Sequence, residues 1–179
     1  MLGIGGIGMS ALARFFKRKG YVVAGYDKTE SVLTQQLMDE GMDVHYDDNP
    51  ELLKSLDSGQ CLVIYTPAVP TDLGEYAYLQ QHGFDMKKRA EMLGAITRDY
   101  TTIAVAGTHG KTTTCSMIAH IFQQAGLPVI AFIGGISPNF GSNLIMDDQA
   151  EIIIVEADEY DKSFLHLHPD SLIITSMDA

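Results

Sequence analysis

Two stretches of this chain share one local grammar: a short apolar strand, a glycine-rich loop, and a helix that opens on the loop. The first is Gly3-Ile4-Gly5-Gly6-Ile7-Gly8, leading into a helix predicted over residues 9–19. The second is Gly107-Thr108-His109-Gly110-Lys111-Thr112-Thr113, set between a strand predicted over 102–106 and a helix predicted over 111–125. Glycines there let backbone N–H groups close on an anion at the positive end of a helix dipole. A strand feeding such a loop belongs to an open sheet with its ligands at the strand's carboxyl end. Few folds other than α/β accept two such junctions.

The rest of the chain agrees. Apolar runs rich in Val and Ile predict strands at 21–26, 61–66, 128–133, 151–155 and 171–175, of the kind buried on both faces in a parallel sheet. Helix 9–19 puts Leu12, Phe15 and Phe16 on one side and ends Lys17-Arg18-Lys19-Gly20, cations and glycine that suit a helix terminus. Helix 111–125 carries Ile118, Ile121, Phe122 and Ala125 at helical spacing and stops at Gly126. A further helix at 89–97 gives way to a new strand, which sets a domain boundary at 98–101 and domains of residues 1–98 and 99–179. Only Met1 and Leu2 precede the first loop, so its strand is expected to be cut short.

Charge and cysteine content exclude several functions. Twelve Lys+Arg against 23 Asp+Glu give a net charge of −11, which repels a phosphate backbone and argues against a nucleic-acid partner. Phosphate binding in such a chain must be local. Two distant cysteines, Cys61 and Cys115, make no disulfide framework and suit a reducing cytoplasm. No apolar run approaches a membrane span, and the glycine-rich start lacks the basic region of a secretory signal.

Read alone, the first loop matches G-x-G-x-x-G, with Asp27 placed where a dinucleotide-binding fold keeps its ribose-binding acid. NAD, another diphosphate such as a UDP-sugar, and simple helix–strand packing all remain open at this point, and with NAD an oxidoreductase. The second loop contains Gly110-Lys111-Thr112, the core of a P-loop, although Val105 stands where the common pattern has its first glycine. Its N–H groups would face phosphates, Lys111 would neutralise β/γ charge, and Thr112 would ligate Mg²⁺. Glu156, nearest the end of the 151–155 strand, is the preferred metal carboxylate of the acidic run Glu156-Ala-Asp158-Glu159-Tyr160-Asp161; a solvated turn is the plainer alternative. A P-loop kinase or GTPase-like switch is disfavoured, for no Asn-Lys-x-Asp occurs. His166 and His168 alternate with leucines as on a surface strand or loop. His109 sits within the loop without an assigned proton role, and Cys115 has no assigned chemistry.

Taken together, Ala106-Gly-Thr-His-Gly-Lys-Thr-Thr-Thr114, Gly3-Ile-Gly-Gly-Ile-Gly-Met-Ser-Ala-Leu-Ala13, Lys88-Arg-Ala-Glu-Met-Leu93 and Glu156-Ala-Asp-Glu-Tyr-Asp-Lys-Ser-Phe164 resemble the Mur ligases, in the family's order. The resemblance implies a Rossmann-like UDP-sugar domain followed by an incomplete P-loop-type ATPase domain. It implies that Gly5, Gly6, Gly8 and Ser10 face a UDP-sugar, with Asp27 near the uridine end. Gly107, Thr108, His109, Gly110, Lys111, Thr112 and Thr113 would bind ATP, with Lys111 and Glu156 catalytic and Thr112 and Glu156 on magnesium. The implied reaction joins L-alanine to the lactyl carboxylate of UDP-N-acetylmuramate through an acyl phosphate. Murein tripeptide is the alternative amino substrate; the run Ser163-Phe-Leu-His-Leu-His-Pro169 leaves no room for the extra residues of that branch. In the family, residues like Thr175-Ser-Met-Asp-Ala179 precede a metal-binding His, so this stretch alone is expected to keep UDP-sugar affinity without ligase activity.

Overall fold

The computed structural model describes residues 1–157 and 163–177, which form two compact units, Met1–Arg89 and Ala90–Ala179. In the first unit, α1 (Ile7–Arg18), β1 (Ala24–Tyr26), α2 (Val32–Asp39), β2 (Asp43–His45), β3 (Leu62–Tyr65), α3 (Gly74–Gln81) and β4 (Asp85–Lys88) alternate. β1 pairs with β2 and β3 with β4, both in parallel, and Leu2 bridges Tyr26 on one side and Tyr65 on the other. The strand order is therefore β2-β1-Leu2-β3-β4, with Leu2 as a single bridged residue at the centre.

Burial explains the helices. On α1, Leu12, Ala13 and Phe15 are buried while Lys17 and Arg18 occupy the last turn. Buried Arg14 donates from Nε and Nη2 to the Glu40 carboxylate, at 2.9 and 2.7 Å, and so ties α1 to the end of α2. α2 begins with a capping box in which the Ser31 hydroxyl accepts from Thr34 N–H and the Thr34 hydroxyl accepts from Ser31 N–H.

In the second unit follow α4 (Arg89–Thr97), β5 (Thr101–Ala106), α5 (Lys111–Gln124), β6 (Val129–Ser137), β7 (Ser142–Met146), β8 (Ile152–Glu156) and β9 (Ser171–Ile174). All but the first residue of α4 belong here, because Gly94 lies against the His166 backbone too closely for any side chain. The sheet order is β7-β6-β8-β5-β9. Every pair is parallel except β6–β7, a hairpin turned at residues 138–141.

Ile153, Ile154 and Val155 on β8 and Ala104 and Val105 on β5 have almost no exposure, as the central strands of a covered sheet should. α5 packs Cys115 and Ala119 against Val105, Val129, Ala131 and Ile154. β9 departs from the expectation of burial on both faces. It is the edge strand beyond β5, and Leu172 and Ile174 remain more than half exposed.

Candidate functional site

In the second unit, β5 ends at Ala106 and α5 starts at Lys111, so four residues turn the chain. Gly107 (φ 130°) and Gly110 (φ 85°) take left-handed conformations that L side chains resist. A Cβ on Gly107 would also collide with the Thr175 hydroxyl and come within 2.8 Å of Ser176 N. Gly110 is the N-cap of α5 and offers no side-chain acceptor, at the helix end where backbone N–H groups favour an anion.

Lys111 folds back over this turn, its Nζ donating to the Gly107 carbonyl at 2.6 Å. One residue on, the Thr112 hydroxyl donates to Glu156 Oε2 at 3.2 Å. Glu156 is the last residue of β8, and its Oε1 accepts from Gly134 N–H at 2.7 Å. Parallel pairing of β5 with β8 brings these groups together, since Val105 is in register with Glu156. A hydroxyl and a carboxylate at this separation are hard oxygen donors that suit Mg²⁺, which commonly keeps several waters and takes phosphate oxygens. Among the described residues no three His, Cys, Asp or Glu side chains gather to hold a metal unaided. Asp158, Glu159 and Asp161 lie outside the described residues.

Thr108 and His109 stand differently from the rest of the loop. Thr108 N–H donates to the Ser176 carbonyl at 3.3 Å and His109 N–H to Ser176 Oγ at 3.1 Å. His166 closes a short 3-10 turn, Ser163–His166, and His168 is exposed. A cavity of about 590 Å³ opens beside Gly107 and Thr108, walled by Ala104, Ala157, Phe164, Leu167 and Leu172. Lys111, Thr112 and Glu156 do not line it. Strand alternation puts Ala104 on the face opposite Val105, so the cavity lies across the sheet from α5.

Behind the loop, burial first and the Glu156 carboxylate second push the Cys115 thiol far above its usual range. Ellman's reagent is therefore expected to modify half-buried Cys61 in the native chain and to reach Cys115 only after denaturant is added. Equal rates for both thiols would contradict the packing. Because the folded form holds the proton longer, the Cys115 contribution to stability is complete below about pH 8.5. Above it stability falls by up to about 1.4 kcal/mol per pH unit, a slope that Cys115→Ala should remove.

In the first unit, Gly6 caps α1 in extended conformation and α1 has no acid in its first turn. Gly5 N–H donates to Asp27 Oδ2 at 2.7 Å, and Asp27 Oδ1 accepts from Thr29 N–H at 3.2 Å. Asp27 therefore braces the glycine loop from the end of β1. Ser10, which the resemblance turns toward a ligand, is fully buried with its hydroxyl donating to the Ile7 carbonyl at 3.0 Å. Arg89 is a cation that the residue pattern did not single out. Its Nη1 lies 3.0 Å from where a Gly8 Cβ would stand, so its guanidinium rests on the glycine loop. Its place at the end of the Lys87-Lys88-Arg89 run was the available signal. Nearby, burial and then the carboxylates of Asp48, Glu75, Asp27 and Asp47 hold the Tyr26 phenol above its ordinary range.

Glycine loops at the carboxyl ends of parallel strands, one beside a Lys–Thr–Glu constellation, mark an α/β protein of the parallel-sheet class. The chain belongs to the Mur ligase family: the family's catalytic-domain profile matches residues 1–101, and its middle-domain profile matches residues 105–178. It is 55% identical to the UDP-N-acetylmuramate–L-alanine ligase of Flavobacterium johnsoniae and 49% to that of Porphyromonas gingivalis strain W83, over 99% of this chain. It spans about two fifths of those relatives, 40% and 39% of their lengths. Among solved structures it is similar to the Thermotoga maritima UDP-N-acetylmuramate–alanine ligase (TM-score 0.87, 30% identity, 99% of this chain and 41% of that one). It is also similar to the Neisseria meningitidis UDP-N-acetylmuramate:L-alanyl-γ-D-glutamyl-meso-diaminopimelate ligase (TM-score 0.89, 27% identity, 99% and 59%).

Proposed function

We propose that this chain carries the nucleotide-sugar and ATP sites of a ligase that joins L-alanine to the lactyl carboxylate of UDP-N-acetylmuramate in peptidoglycan precursor synthesis. The observation that carries the reading is the convergence of Lys111, Thr112 and Glu156 at the ends of β5 and β8. The chain's 55% identity to an enzyme named for that reaction supports it.

In this reading the second unit takes ATP. N–H groups at 110–113 face the phosphates, and Lys111 turns from the Gly107 carbonyl to the β/γ oxygens. Thr112 and Glu156 hold Mg²⁺, which neutralises phosphate charge while bound. The first unit takes UDP-N-acetylmuramate, its diphosphate at Gly5, Gly6 and Gly8 beside the Arg89 guanidinium, and its uridine toward Asp27. A carboxylate is a poor acyl donor, because its leaving group would be oxide. Transfer of the γ-phosphoryl group to the lactyl carboxylate gives an acyl phosphate, which the alanine amine attacks as phosphate departs. Lys111 lowers the cost of bringing two anions together. Soluble nucleotide substrates and unpaired thiols suit the cytoplasm; no helix among the described residues is long and apolar enough to cross a membrane. The likeness to the Neisseria meningitidis ligase keeps murein tripeptide as a second amino substrate, which the lower identity, 27%, disfavours.

Calorimetric titration of the chain with UDP-N-acetylmuramate, and separately with Mg²⁺ and a non-hydrolysable ATP analogue, tests the reading. Binding of both is expected, with no enhancement of NADH fluorescence on adding the protein. Enhancement of NADH without UDP-sugar binding would instead favour a dinucleotide-dependent oxidoreductase.

A further inference from the structure

The residues that follow β9 hold one half of the phosphate loop. β5 and β9 run in parallel with Ala106 in register with Ile174, so the next residue, Thr175, arrives beside Gly107. Thr175 N–H extends the ladder, donating to the Ala106 carbonyl at 2.9 Å. Its hydroxyl lies between two loop carbonyls. It donates its one proton to His109 O, with Ala106 O at 3.1 Å as the other acceptor. Ser176 takes the amides from the opposite side, Thr108 N–H on its carbonyl and His109 N–H on its Oγ. Residues 106–109 are thus staked at both their carbonyls and their amides.

We infer that Thr175 and Ser176 are positioning residues for ATP binding, and that Thr108 and His109 shape the loop without donating their backbone N–H groups to phosphate. This rests on the ATP reading above. A loop containing two left-handed glycines must be ordered before it can present amides to an anion, and each ordered residue costs conformational entropy. Staking 106–109 in the free protein meets that cost before the ligand arrives, which is how preorganisation raises affinity. The division of labour follows from where the donors go. The amides of 108 and 109 point to Ser176, whereas those at the start of α5 point beyond the helix end.

Thr175→Val removes the hydroxyl at nearly constant volume, and Thr175→Ser restores it. In the full chain, Thr175→Val is expected to weaken binding of Mg²⁺ with a non-hydrolysable ATP analogue by about tenfold, the 1.4 kcal/mol of one hydrogen bond. Thr175→Ser should recover most of that loss, and UDP-N-acetylmuramate affinity should not change in either variant. Amide NMR supplies the readout that a purely structural role would not move. In wild type the analogue should shift the Thr112 and Thr113 amides strongly and those of Thr108 and His109 little. Without ligand, the His109 amide should exchange with solvent more slowly in wild type than in Ser176→Ala. If Thr108 and His109 shift most on binding, or Thr175→Val binds as wild type does, the inference is overturned. If wild type binds no analogue, the ATP reading fails instead, and the exchange comparison still decides whether the brace exists.

Discussion

Lys111→Met is expected to weaken binding of Mg²⁺ with a non-hydrolysable ATP analogue by about a hundredfold, or roughly 2.7 kcal/mol. Residues 90–179 contain only Arg98, Lys111 and Lys162 as cations, against a surplus of acids that contributes to the chain's −11. Phosphate oxygens entering that field need compensation at the point of contact, and Lys111 is the cation built into the loop. In the free protein its Nζ rests on the Gly107 carbonyl at 2.6 Å, which already holds it at the loop. Met keeps the length and most of the packing, and the melting temperature should stay close to wild type. Arg keeps the charge but spreads it over a planar fork, and an intermediate loss is expected. Calorimetry on the three proteins, with UDP-N-acetylmuramate as the control ligand, measures the difference. A loss under fivefold for Met would mean that the backbone amides and the metal carry the phosphates without this side chain.

The parts of this molecule that follow one periodicity are readable from its residues. The β5–loop–α5 junction is one, since apolar alternation, glycine and helical spacing all change within a few residues. β8 is another, because Ile152-Ile-Ile-Val155 has no place except inside a sheet. What escaped the pattern are elements with mixed signals. β2 is Asp43-Val-His45, with one buried side chain, and β4 is Asp85-Met-Lys-Lys88, polar because it lies at an edge. β7 is the antiparallel partner of β6, hidden because Gly134 and Gly135 read as the end of a strand that in fact continues to Ser137. Its side chains alone cannot reveal direction. At the site, the sequence placed Thr112 and Glu156 together through the logic of strand ends. It could not reveal Ser176 on the loop or Arg89 on Gly8, because these depend on which strands become neighbours. That Ser10 is fully buried, its hydroxyl on the Ile7 carbonyl, is likewise a matter of packing that spacing alone does not show.

The largest loss of stability should come from Glu75→Ala, in the first unit. Glu75 has 1% exposure, an unusual place for a carboxylate, and the surroundings explain it. Its Oε1 lies 2.6 Å from His45 Nε2 and accepts from Asn49 N–H at 3.0 Å. Asp48 returns the favour at the start of α3, its carboxylate accepting from Gly74 N–H at 2.7 Å and Glu75 N–H at 2.9 Å. The loop after β2 and the first turn of α3 are therefore closed on each other by two acids. Truncating Glu75 strands an Asn49 N–H and a His45 nitrogen, and each unsatisfied buried polar group costs about 1–3 kcal/mol. His45 retains 25% of its side-chain exposure, so water screens part of the His45 share. A net loss of about 2–4 kcal/mol is expected, lowering the melting temperature by roughly 10–20 °C for a unit of this size. Glu75→Gln keeps an oxygen for Asn49 and loses only the charge, so it should fall about halfway. Thermal melts followed by circular dichroism on the whole chain rank the three proteins. If Glu75→Ala melts within 3 °C of wild type, water has replaced both partners, and the closure of the β2 loop on α3 does not hold the unit together.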